Sequence, residues 1–408
     1  MPSCAEHTSL VSRRSVLGGV TAGVAGAAGL SVDFAFAAEK YSGDTLVVIS
    51  LHGGFDGLSA IAPIGDQDYY RARPTIAVGK NQVIAGDGTF GLHPALAPLL
   101  PYWKTGKLAA VHAVGQPNPT RSHFAAMDAM ENAAPGTSVR SGWLDRMLGG
   151  TGATAPLAGV SVGDAMPARL FSGPGGDVSM RSVDELTLAG DGKRPIAAAL
   201  RAMYADAPAH LAAPARAADR ALAAMGRPRA VAAGTGYPKT DLGGALRDVA
   251  RLIKSNAGLV TATVDCGDWD MHEALGPAVK GRRMYDNLAD LAAALAAFVA
   301  DLGATLMNRV TILTISEFGR RVAENGSHGV DHGHGNAMLL LGGGIRGGKV
   351  YTRWPTLATA ALVDGDLAAT TDYRSVIGEI LQKRCGFGDL STVFPGVKPS
   401  SFGLAAAR

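Results

Sequence analysis

Apolar residues in this chain fall into two kinds of run. Thr45–Leu51, Leu108–Val114, Leu259–Val264, Val310–Ile315 and Ala337–Leu341 are short, largely unbroken and rich in branched side chains. Such runs, bounded by turn residues, predict strands buried on both faces. Other stretches carry a helical period: Ala95–Thr105, Ala125–Asn132, Asp241–Ser255 and Arg282–Leu302. In the last of these Leu288, Leu291, Leu295 and Phe298 recur every three or four residues. It joins Leu259–Val264 to Val310–Ile315, a strand-helix-strand unit of the parallel kind. A final helix is predicted through Leu381, capped by Thr371 or Asp372. The stretch from Ala155 to Gly234 is dense in Ala, Arg and Pro and predicts short helices, with His210 on the solvated surface. The expectation is an α/β fold with a mostly parallel central sheet and a helical insertion at about 155–240, rather than a strand there.

The first 37 residues read as a leader outside the fold. Arg13 and Arg14 form a twin-arginine pattern, an apolar run follows from Leu17 to Leu30, and Ala35-Phe36-Ala37 offers a cleavage site before Ala38. That run is shorter than the ~20 residues a spanning helix needs. The expected organisation is a signal peptide over 1–37 and a single α/β domain over 38–408, exported by the twin-arginine translocase to the periplasm or beyond. No other stretch reads as a membrane span.

Composition changes this picture little. Of 408 residues 47% are hydrophobic and 18% charged, and the net charge is +3, so a large core is available. No Lys/Arg run interleaves with aromatics, which argues against a nucleic-acid partner. Once the leader and its Cys4 are gone, Cys266 and Cys385 remain; they read as two separate thiols, with one disulfide left open.

The candidate chemistry sits where predicted strands end, the place at which open α/β sheets bind ligands. Thr45–Leu51 leads into His52, two glycines and Asp56, whose bland role is a turn or helix cap. Leu108–Val114 leads into Arg121, Ser122 and His123 ahead of a helix; Ser122 is either a nucleophile beside helix N–H groups or an ordinary cap. Leu259–Val264 leads into Asp268, Asp270 and His272, where either Asp could ligate a metal with the His. Val310–Ile315 leads into Glu317, and a Gly- and Asn-containing loop then delivers Asp331, His332 and His334.

These stretches carry a resemblance. The leader, LHGGFDGL, GLHPAL, NPTRSHFAAMD, GWL, DWDMH, SEFGRR, DHGHGNAMLLLGGG and TTDYRSV resemble the exported bacterial family of domain of unknown function 1501 (DUF 1501). That family is similar at fold level to the alkaline phosphatase, sulfatase and cofactor-independent phosphoglycerate mutase superfamily. The resemblance implies an alkaline phosphatase-like sandwich. It implies one or two divalent ions (zinc, manganese, calcium or magnesium) on Asp56, Asp268 or Asp270, His272, Glu317, and His332 or His334. It also implies Ser122 as nucleophile, with Arg121 and His123 beside it. The chain departs from the superfamily at Phe318, where a metal-binding His is expected.

Two functions follow as expectations. One is a metal-dependent hydrolase of phosphate or sulfate esters, acting on a small anionic ester or an envelope polymer. The other is a binding or assembly protein that keeps the fold with a degenerate metal site. Metal content separates them.

Overall fold

A computed structural model of the chain describes residues 41–163, 168–188 and 196–408, so the leader pattern and its cleavage site lie outside the described residues. The strands of the main sheet are β1 (Thr45–Leu51), β2 (Leu108–Gly115), β3 (Gly159–Val162), β4 (Asp177–Met180), β5 (Thr261–Cys266), β6 (Val310–Ile315), β7 (Asn336–Gly342), β8 (Val350–Tyr351) and β9 (Thr371–Asp372). Their order is β8-β2-β7-β6-β1-β5-β3-β4, with β9 also pairing β2. All pairings are parallel except those of β7 with β2 and β6. The fold is therefore α/β with a mostly parallel central sheet flanked by helices. Among these helices are α1 (His123–Asn132), α2 (Asp241–Lys254), α3 (Arg283–Met307) and α4 (Tyr373–Arg384).

Alternation along the strands explains how both faces are covered. Val47, Ile49 and Leu51 of β1 and Val310 and Ile312 of β6 pack into one core with α2 and α3. Leu46 and Val48, with Leu313 and Ile315, enter a second core under α4. Helix α2 is capped by the Thr240 hydroxyl, which accepts from Gly243 N at 3.2 Å. Helix α4 is capped by Asp372, which accepts from Arg374 N at 2.9 Å.

One expectation changes and two others meet the structure. The stretch from Ala155 to Gly234 does contain helices, but its first part supplies β3 and β4, parallel strands that complete one side of the main sheet, with β4 at its edge. Four residues per strand are too few to stand out against the surrounding Ala and Gly. By length and composition α3 is also apolar enough to cross a bilayer. Here Leu288, Leu291, Leu295 and Phe298 are buried in the core, which accounts for the apolar sequence. Cys266 and Cys385 are unpaired thiols.

The direction of β7 decides where its flanking loop lies. The carboxyl ends of β1, β2, β5 and β6 all face one edge of the sheet. Because β7 runs antiparallel, the loop that precedes it, with His332 and His334, returns to that same edge.

Candidate metal centre

The loop after β6 and the loop before β7 form a short ribbon. Gly319 N donates to His334 O and Gly333 N to Gly319 O, both at 2.9 Å, while Arg320 and His332 face each other as an antiparallel bridge. A Cβ at Gly333 would lie 2.4 Å from the Arg320 carbonyl carbon, so only glycine permits this crossing. At the end of β1, Gly53 adopts φ +110, and a Cβ there would come within 2.6 Å of Asp270 N. These close approaches place His332 against the loop that follows β5.

Three donor atoms meet there. His272 Nε2 lies 2.9 Å from His332 Nε2 and 3.0 Å from Asp270 Oδ1, and the remaining edge, His332 Nε2 to Asp270 Oδ1, is 3.3 Å. A fourth donor, His123 Nε2, stands 3.7 Å from Asp270 Oδ2. His123, Asp270 and His332 offer ligand atoms all within 4.8 Å of one another. A tetrahedral ion bound at 2.0–2.1 Å requires ligand-to-ligand edges of about 3.3 Å.

The tautomers follow from what the other ring nitrogens touch. His123 Nδ1 faces Glu317 Oε1 at 2.8 Å, His272 Nδ1 faces Asp331 Oδ1 at 2.8 Å, and His332 Nδ1 faces the Arg121 carbonyl at 2.8 Å. Each partner only accepts, so each Nδ1 carries a proton, and the neutral ring that metal binding requires has its lone pair at Nε2. Burial opposes ionisation of Glu317, but His123, Gly53 N and the Ser316 hydroxyl outweigh it and hold the carboxyl below its usual range. The His272 hydrogen bond holds Asp331 low against a smaller burial effect. Burial likewise pushes the His332 imidazole below its ordinary value, which keeps it neutral. The Nε2 atoms of His123, His272 and His332 therefore all lie around the Asp270 carboxylate, and His123 Nε2 is buried without a hydrogen-bond partner among the described residues. Lone pairs repel unless a cation lies between them. The donor set fits a divalent metal, with Glu317, Asp331 and the Arg121 carbonyl orienting the ligands from behind.

Arg320 completes the support. It is buried, donates to Asp270 Oδ1 at 2.6 Å, and also donates to Gly54 O, Val330 O and Trp269 O. Burial works against the Asp270 carboxylate, but the guanidinium outweighs it and holds the carboxyl below its usual range. Phe318 packs its ring 4.8 Å from those of both His123 and His332, walling the centre on one side.

Asp270, His272 and His332 thus come together as the sequence suggested, and other assignments shift. Glu317 stands behind His123 rather than facing the centre, and His123, expected beside the nucleophile, faces it. Asp56 is elsewhere engaged: both its oxygens are held by Arg73, at 2.6 and 2.9 Å. Asp268 is paired with Arg283 at the surface. His334 spends Nε2 on the Gln116 carbonyl at 2.7 Å. The Arg121 guanidinium, expected beside the nucleophile, holds the buried Asp366 at 2.7 Å. Ser122 occupies the N-cap position of α1, exposed, and makes no side-chain cap bond. Arg320 and the orienting role of Asp331 escaped the sequence reading. Asp331 could have been found from the His beside it, whereas nothing local marks Arg320 as buried.

Comparisons place the chain among known proteins. Solved structures similar to it include a protein in the alkaline phosphatase superfamily from Vibrio parahaemolyticus, 10% identical, TM-score 0.38, covering 90% of this chain and 73% of that one. Another is the PsFucS1 sulfatase from Pseudoalteromonas sp., 10% identical, TM-score 0.36, covering 91% and 75%. A third is the C-terminal periplasmic domain of EcEptC from Escherichia coli in complex with Zn, 10% identical, TM-score 0.35, covering 74% of each chain. Likenesses this distant leave the chemistry to the residues themselves. No curated protein matches the sequence. Residues 44–378 match the family described as a protein of unknown function, DUF1501, and the chain belongs to that family.

Proposed function

We propose that this protein is an exported, metal-dependent hydrolase of phosphate or sulfate esters. One observation carries the reading: the lone pairs of His123, His272 and His332 converge on the Asp270 carboxylate at the carboxyl edge of a parallel sheet. Three imidazoles and one carboxylate favour zinc over calcium or magnesium. A divalent ion supplies Lewis-acid polarisation of an anionic ester and a hydroxyl of lowered pKa. The protein's share is to fix the ligands through Glu317 and Asp331 and to keep one side dry with Phe318. Ser122 lies between Arg121, whose carbonyl orients His332, and the ligand His123, at the start of a ten-residue helix whose first N–H groups favour an anion. Its hydroxyl is not committed to capping, which suits it as the attacker.

Elemental analysis of the purified protein should find about one zinc per chain. Chelation should abolish turnover of 4-nitrophenyl phosphate or sulfate, and zinc should restore it. A metal-loaded protein inert towards both esters would instead favour the non-catalytic reading. Ser122→Ala should lower turnover by about three orders of magnitude or more if the hydroxyl attacks. Full activity in that folded variant would pass the role to Thr120 or to water. Export is proposed from the leader pattern: an Arg13→Lys, Arg14→Lys protein should remain in the cytoplasm, and unchanged periplasmic accumulation would refute the twin-arginine route.

A further inference from the structure

Beside the centre lies a cleft of about 360 Å³. One wall is a single stripe of α1, where His123, Met127 and Glu131 recur every four residues and so share a face. His52 and Asp265, from the ends of β1 and β5, stand in another wall, joined Nε2 to Oδ1 at 3.0 Å, and Arg169 lines the cleft as well. His123 and Glu317 belong to both cleft and centre, so the two share a wall.

Glu131 is out of place for an ordinary carboxylate. It is 5% exposed, and its Oε2 has no hydrogen-bond partner among the described residues. The nearest cation is the half-exposed Arg169, whose Nε stays 3.9 Å away. Burial pushes the Glu131 carboxyl up to about 7; Arg169 and His52 relieve this in part, and Asp265 and Asp128 add to it. A buried acid that keeps its proton near neutral pH, with an oxygen bonded to no other group, is the form general acid catalysis uses.

We propose that Glu131 is the general acid of this site and that the cleft receives the alcohol that leaves when an ester is cleaved. The inference rests on the hydrolase reading of the metal centre. The bond from phosphorus or sulfur to the ester oxygen breaks, and its electron pair stays on that oxygen. The Glu131 proton forms the new O–H bond. The Ser122 oxygen takes the place of the alcohol on phosphorus or sulfur and water then displaces it, so that over the cycle the Ser122 hydroxyl is restored, the water leaves its hydroxyl on phosphorus or sulfur, and the remaining proton returns to the carboxylate. Such a group matters most for a poorly acidic alcohol, and least for an activated phenol that departs unaided.

The test uses full-length wild type and Glu131→Gln protein loaded with zinc, with ethyl and 4-nitrophenyl esters of phosphate and sulfate. In the variant the ratio of kcat on the ethyl ester to kcat on the nitrophenyl ester should fall about 100-fold or more. The basic limb of the ethyl-ester pH profile, where wild-type activity falls as Glu131 deprotonates, should vanish. An unchanged ratio or a surviving basic limb overturns the assignment while leaving the hydrolase reading intact. Wild type inert on every ester sinks that reading, and this one with it. Carbon-13 carboxyl resonances of glutamate-labelled protein give a readout independent of turnover. One glutamate should titrate near pH 7 and disappear in Glu131→Gln; a wild-type spectrum in which no glutamate titrates above the ordinary range, near 4 to 5, overturns it.

Discussion

His332→Ala is expected to strip the protein of its metal, while His334→Ala leaves metal content as in wild type. The two residues are separated by one glycine and both lean on the loop from Gln116 to Arg121, yet their rings are spent differently. His332 gives Nδ1 to a carbonyl and turns Nε2 to the centre; His334 gives Nε2 to a carbonyl. Removing His332 also leaves His272 Nε2 and Asp270 without the third corner of their triangle. A milder loss should follow Glu317→Gln, because the amide no longer dictates the His123 tautomer. Disturbing an orienting partner of this kind typically lowers metal affinity about 10–100-fold. Zinc competition titrations would measure both. Equal losses from His332→Ala and His334→Ala would contradict the assignment of ligands.

That contrast shows how far the sequence can be read. The strands β1, β5, β6 and β7 are legible because branched apolar residues run unbroken between turn residues. The edge of the sheet that carries the site is legible too, since each of these strands meets polar residues at that edge. His272, with Asp268 or Asp270 and His332 or His334, could be singled out from type and spacing alone. The choice between Asp268 and Asp270 could not, because it depends on Arg283 drawing Asp268 away and on Arg320 holding Asp270 in place. Such partners are set by the packing of distant segments, and no local period encodes them.

Carry-over by resemblance fails for the same physical reason at Asp56, Glu317 and Arg121. Each is a charged residue at a strand end, where a ligand or a clamp is expected. Each is claimed first by a neighbour: Arg73, His123 and Asp366 respectively. For Glu317 the claim preserves a place at one remove, because His123 stands between it and the candidate metal centre. For Asp56 it substitutes a structural role.

Asp56→Ala is accordingly expected to cost about 3–5 kcal/mol of stability, the usual effect of removing one partner from a buried ion pair. Arg73 is fully buried and Asp56 nearly so. The guanidinium keeps the Ser59 hydroxyl and the Val322 and Arg321 carbonyls, but no other carboxylate among the described residues bonds to it, so its charge would be stranded. Replacing both residues, as Asp56→Ala with Arg73→Met, should recover much of the loss, because an apolar pair of similar volume carries no desolvation penalty. Burial works against the Asp56 carboxylate, but Arg73 outweighs it and holds the carboxyl below its ordinary value. The pair's contribution is therefore complete above the unfolded value, near pH 3.9, and lost as pH falls through the lower folded value. The deficit of Asp56→Ala should be constant from about pH 5 to 8 and shrink only in stronger acid. Urea denaturation of the two single variants and the double one, set out as a cycle, measures the coupling directly. Metal content supplies the decisive contrast, since folded Asp56→Asn protein should bind zinc as wild type does. Loss of the metal in that variant would restore Asp56 to the ligand set.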